Sequence, residues 1–167
     1  MSCGKNFAVW KTAGSPSTDG WHTPDAPNNI IYVRLATGSV VEQMNAHPFA
    51  KLHTALTHNG ETTNYEALKQ RVEQFNLSPL ATTDTEVASL KFHLTADAWE
   101  YPDWALFESF SLTIGDDLQL VEPAIRTQLE QVQRVEFASS PDGPYQYLCL
   151  RNNPCTCWFV SHGIERR

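Results

Sequence analysis

The stretch from residue 53 to residue 94 constrains this chain most, because its apolar spacing switches from a strand-like run to two helical ones. His53-Thr54-Ala55-Leu56-Thr57-His58 reads as a strand, broken by Asn59-Gly60, a dipeptide that readily takes positive φ in a tight turn. Beyond the turn, Tyr65, Leu68, Val72 and Phe75 recur at helical spacing. Glu66, Lys69, Gln70, Glu73 and Gln74 fill the opposite face, so one apolar stripe is left to pack onto a sheet. Asn76 and Pro79 help to stop that helix. A second begins at Thr83-Asp84-Thr85-Glu86, which fits a capping box in which the Thr83 hydroxyl accepts from the Glu86 amide and the Glu86 side chain reaches back. Val87, Leu90 and Leu94 follow as its buried stripe.

On either side the signals are plainer. Phe7-Ala8-Val9-Trp10 reads as a strand, residues 13–29 as a surface loop rich in Gly, Pro, Ser, Thr and Asp, and residues 30–35 as a second strand ended by Thr37-Gly38-Ser39. Arg34 then lies near a strand terminus. Residues 99–114 form an aromatic, helix-compatible stretch, and 118–136 suggest a helix interrupted early by Pro123. Residues 145–150 and 156–161 read as strands joined by the Asn152-Asn153-Pro154 turn. With 167 residues and no repeat or linker, a single domain spanning 1–167 is expected.

Composition excludes several functions. The formal net charge is −7 and Lys and Arg do not cluster, so a nucleic-acid partner is not expected. Apolar runs such as 30–33 are too short to span a bilayer, and the first 11 residues lack the pattern of a secretory signal; a cytoplasmic location is expected. Of the four cysteines, Cys3, Cys149, Cys155 and Cys157, three lie late in the chain, and reduced thiols are the expectation. Cys149, Cys155, Cys157 and His162 do contain zinc-type donors, but not at finger or ribbon spacing, and buried packing is favoured over a metal site. His22, His47, His53, His58 and His93 are scattered and read as surface or hydrogen-bonded core histidines. No flavin, iron–sulfur or nucleotide motif is visible, and no cofactor is expected.

Three features supply different polar contacts: Arg34, His58-Asn59-Gly60-Glu61 and Thr83-Asp84-Thr85-Glu86. A free amino acid needs a fixed cation for its carboxylate, a fixed anion for its ammonium and amide-scale donors for its side chain. The guanidinium of Arg34 suits a carboxylate because its planar fork makes two parallel charge-assisted bonds. A turn at Asn59-Gly60 can aim a backbone amide and a carboxamide at one point, the donor set that stabilises an oxyanion in acyl transfer. Asp84, in the first turn of its helix, can meet an ammonium. Each has an ordinary alternative: a solvated arginine, a good turn, and an acid that only complements the helix dipole.

Together these segments resemble the glutaminase domain of class II glutamine amidotransferases, in particular that of glutamate synthase and its stand-alone relatives. The resemblance rests on Ala46-His47-Pro48-Phe49, Thr57-His58-Asn59-Gly60-Glu61, Asn64-Tyr65 and Thr83-Asp84-Thr85-Glu86-Val87, in order and at similar spacing. Phe7-Ala8-Val9-Trp10-Lys11 with Gly14, Arg34 with Thr37, and Asp142-Gly143-Pro144-Tyr145 extend it more weakly; residues 30–95 carry the clearest part. It implies an α+β fold, an αββα sandwich of the N-terminal-nucleophile hydrolase type in shortened form, with the helices that start near Asn64 and Thr83 covering one sheet. It implies glutamine as ligand, Arg34 on its α-carboxylate, Asp84 on its α-ammonium, and Asn59 with Gly60 as the oxyanion hole.

In such a domain an N-terminal cysteine attacks the amide and its own α-amino group serves as base. Here Cys3 precedes Gly4 as that nucleophile does, but Met1 and Ser2 stand before it, and residues 5–11 look like an internal strand of the family domain. Cys3 is thus a weak nucleophile candidate, and a partner polypeptide that completes the domain or receives ammonia is expected. The alternative is a catalytically inert regulatory or interaction subunit that keeps the fold.

Overall fold

The computed structural model describes residues 5–11, 29–35, 43–152 and 155–162, and the side chains of 44–151 and 156–162. In chain order the strands and helices are β1 (Lys5–Lys11), β2 (Asn29–Leu35), β3 (Phe49–Lys51), β4 (Thr54–Gly60), α1 (Tyr65–Glu73), α2 (Asp84–His93), α3 (Asp103–Phe110), α4 (Gly115–Leu120), α5 (Pro123–Glu136), β5 (Tyr145–Asn152) and β6 (Cys155–His162). Both sheets are antiparallel: β1 pairs with β2, and β3-β4-β5-β6 form the second. The chain is α+β, a mixture of helices and antiparallel sheet.

In the four-stranded sheet, Leu56 pairs with Cys149 and Cys149 with Trp158, while His58 pairs with Tyr147 and Tyr147 with Val160. Residues paired side by side share a face. This face is buried, and Ala88, Phe92 and Ala96 from α2 and its extension pack on it together with Leu106 and Phe110 of α3. The opposite side of α2 presents Val87, Leu90 and Leu94 to Leu68 and Val72 of α1. The expected stripe at Val87, Leu90 and Leu94 is therefore present but faces α1; a second stripe, not recognised in the sequence, faces the sheet.

Enclosed on both sides, α2 buries eight successive residues from Thr85 to Phe92, four of them polar. A buried polar group without a partner costs about 1–3 kcal/mol, so each must find one. Ser89 donates to the Phe49 carbonyl at 3.1 Å, and Glu86 accepts from the Ala81 amide and pairs with Lys51 at 3.3 Å. The Lys91 ammonium lies 2.7 Å from Glu136 at the end of α5, and Glu136 also accepts from Ser139 and from Tyr101. Burial opposes ionisation of Glu136, but Lys91 and the two hydroxyls outweigh it and hold its carboxyl below the usual carboxylate range.

The structure corrects the sequence reading in two places. Asn59 and Gly60 do not break the strand; they are its last two residues, paired with Gln146 and Tyr145. The capping box is incomplete. Thr83 is the N-cap, yet its hydroxyl accepts from the Thr85 amide at 3.3 Å, and the Glu86 carboxylate accepts from the Ala81 amide with one oxygen and from Lys51 of β3 with the other. Beyond His93, α2 runs directly into a π-helical turn at Leu94–Ala98, which carries the expected Leu94. Pro123 divides the expected 118–136 helix into α4 and α5 by opening α5, where its missing N–H is harmless.

Candidate functional site

The end of β4 and the start of α2 meet. Gly60 has φ +128°, and a β-carbon there would lie 2.1 Å from the Pro144 carbonyl oxygen, so no other residue fits. The chain then runs alongside the loop before β5: Glu61 donates to Pro144 at 3.0 Å, Thr63 to Asp142 at 2.8 Å, and the Asn64 carboxamide closes the zipper by donating to Ser140 and accepting from the Asp142 amide. Gly143, at φ +110°, is needed for the same approach, since its β-carbon would meet the Glu61 carbonyl at 2.6 Å.

Asp84 is the first residue of α2. One carboxylate oxygen, Oδ2, accepts from the Thr62 amide at 3.0 Å. The other, Oδ1, accepts from the Thr83 hydroxyl at 3.3 Å and the Thr85 hydroxyl at 3.4 Å, and lies 3.4 Å from Nδ1 of His58. His58 and Thr62 flank Asn59-Gly60-Glu61, so this carboxylate spans the two ends of that tripeptide. With its side chain 17% exposed, Asp84 still reaches solvent.

His58 is held from several directions. Its backbone amide donates to Nδ1 of His47 at 3.2 Å, its own Nδ1 is 3.3 Å from the Thr85 hydroxyl, and its ring lies 4.8 Å from that of Tyr147. The Tyr147 hydroxyl in turn shares a 2.8 Å hydrogen bond with Thr62. Burial drives the Tyr147 phenol well above its ordinary pKa, so it remains a neutral hydrogen-bonding group.

The residues predicted from sequence are distributed as follows. Asp84, His58 and Gly60 gather around the end of β4. Asn59 alternates to the other face of the sheet, where it is exposed and its carboxamide donates to Gln146 at 3.4 Å. Arg34 is the penultimate residue of β2, and its side chain lies outside the described residues, as does Cys3 altogether. Of the zinc-type donors, Cys149 is buried beneath the helices while Cys157 is exposed on the opposite face; among the described residues no group of three His, Cys, Asp or Glu could hold a metal. Burial pushes the Cys149 thiol far up, the reverse of what an attacking thiolate needs. Among the described residues no helix is long and apolar enough to cross a membrane.

Three participants were given no role in the site by the sequence reading: His47 and His58, which it read as surface or hydrogen-bonded core histidines, and Thr62. His58 was within reach, since strand alternation puts the residue before Asn59 on the helix side of the sheet. Thr62 contributes a backbone amide, for which no side-chain signal exists.

No protein-family model matches the chain. It is similar to glutamine–fructose-6-phosphate aminotransferases (isomerizing): 33% identical over 87 residues to that of Campylobacter jejuni, 32% over 103 residues to that of Xanthomonas campestris and 34% over 96 residues to that of Haemophilus ducreyi. These matches cover 52%, 61% and 58% of this chain but only 14%, 16% and 13% of the relatives. The likeness is confined to about half of this chain and does not single out a glutamate synthase branch.

Proposed function

We propose that the chain is a glutamine-binding unit of the class II amidotransferase type, in which Asp84 receives the α-ammonium of glutamine, Arg34 its α-carboxylate, and Asn59 with Gly60 the oxygen of its side-chain amide. The observation that carries this reading is the Asp84 carboxylate. It is fixed through both oxygens across the Asn59-Gly60-Glu61 segment, yet partly open to solvent. A carboxylate oriented this way receives a cation without first having to be ordered.

The associated half-reaction is attack by a cysteine thiolate on the side-chain amide carbon. Expulsion of the nitrogen as ammonia leaves a thioester that water hydrolyses to glutamate. The thiol is assigned to Cys3 or to a cysteine on a partner polypeptide that also receives the ammonia. Segments of this chain resemble glutamate synthase while its relatives are named for aminotransfer to fructose 6-phosphate, so the proposal concerns the ammonia-producing half they would share.

The fold assigned to this unit is a single domain with an αββα sandwich. In support, among the described residues helices cover only one face of the four-stranded sheet. The other carries Ala55 and Thr57, which are buried, Leu148 and Leu150, which are partly buried, and Phe159, which is 62% exposed, a surface suited to a second sheet.

Isothermal titration of the full chain with glutamine tests the proposal. Binding is expected, and Asp84→Ala should weaken it at least about tenfold, as loss of a charge-assisted bond does. No heat from glutamine, or equal affinity in the variant, overturns the assignment. Binding without ammonia release, even with the partner present, selects the catalytically inert subunit.

A further inference from the structure

We propose that His58 is a positioning residue that sets the preference of this site for a ligand bearing an α-ammonium, by holding the Asp84 carboxylate against the end of β4. The inference rests on the glutamine reading above and adds a residue that reading does not use.

His58 is 1% exposed and therefore cannot meet a ligand in open solvent itself; it acts through what it touches. Its Nδ1 lies 3.4 Å from Asp84 Oδ1 and 3.3 Å from the Thr85 hydroxyl, which itself donates to the same carboxylate oxygen. The imidazole, the hydroxyl and the carboxylate thus form a closed triangle. The ring is kept in place by Tyr147 at 4.8 Å on the neighbouring strand, and the backbone behind it is pinned by His47. Thr62 holds Oδ2 of Asp84, while Thr83, Thr85 and the His58 ring gather at Oδ1, so the carboxylate is held at both oxygens and His58 is the ring among those contacts. A freely swinging carboxylate loses part of its attraction for a cation to the entropy of being ordered. His58 also directly precedes Asn59 and Gly60, so its ring ties the anion to the last residues of β4.

The test compares two ligands by titration of the full chain: glutamine, and glutaramate, which is glutamine with hydrogen in place of the α-ammonium. The wild-type protein should prefer glutamine. His58→Leu fills the same space without the nitrogen, His58→Gln places its amide nitrogen nearer the Nε2 position, and His58→Asn places its own near that of Nδ1. In His58→Leu and His58→Gln the preference should fall about tenfold or more, with glutaramate affinity little changed, while His58→Asn keeps most of it. A merely structural role would weaken both ligands in parallel. Parallel loss in all three variants, or an unchanged preference in all three, overturns the positioning role and leaves the glutamine reading standing. Should His58→Leu fail to fold, the Asn and Gln variants decide between these outcomes. If the wild-type protein binds neither ligand, or both equally, the glutamine reading falls and the inference with it.

Discussion

Gly60 shows how much of the candidate site is decided by a single missing side chain. At φ +128° and with the Pro144 carbonyl where a β-carbon would go, substitution by alanine meets both backbone strain and a clash with main chain that has no room to yield. Gly60→Ala should therefore cost at least about 2 kcal/mol of stability, read from the urea midpoint. A variant as stable as wild type would mean that the β4–β5 approach is looser than described. This residue was legible in the sequence as the second half of Asn-Gly, but its reason was not: a turn was expected, whereas the constraint comes from the backbone of Pro144 and Tyr145, 84 and 85 positions later. Asn59 illustrates the opposite limit, since nothing in its neighbours announces that its carboxamide would lie over Gln146.

At the scale of the element, α2 ties the site to the core, and its start is set by Thr83. The Thr83 hydroxyl accepts from the Thr85 amide and donates to Asp84, so it both caps the helix and steadies the acid beside it. Thr83→Ala should cost about 1 kcal/mol, and Thr83→Ser should recover most of it; thermal unfolding of the two variants decides, and equal melting of Thr83→Ala and wild type would remove Thr83 from that role. The helix start and the stripe at Val87, Leu90 and Leu94 could be read from the chain because they obey local rules. The second stripe, Ala88 and Phe92, could not. Lys91, buried between them, breaks the apolar pattern, and its partner Glu136 lies 45 positions away. The short strand β3 was likewise missed, since three residues carry no period.

For the whole molecule, individual strand-like and helical runs were legible along the chain and the α+β class was what the family resemblance implied, whereas the layering of sheet, α2 and α1 depended on long-range partners. The pair Lys91 and Glu136 joins those layers to α5 and makes stability depend on acid. The folded protein holds the Glu136 carboxyl below its ordinary value of 4.5. The stabilisation is therefore complete above that pH and is lost as pH falls through the folded value. Urea unfolding between about pH 6 and about pH 3 should show this decline. It should flatten in a Lys91→Met/Glu136→Leu double variant, in which neither charge is left unpaired. An equally steep decline in the double variant would place the acid sensitivity elsewhere. Because α2 is enclosed by the sheet on one side and α1 on the other, its central amides have no local route to water and should exchange hydrogen only when the entire chain opens. A ligand that reaches Asp84 must then arrive and leave without melting the helix that bears it, so its residence time and the lifetime of the folded state run on separate clocks.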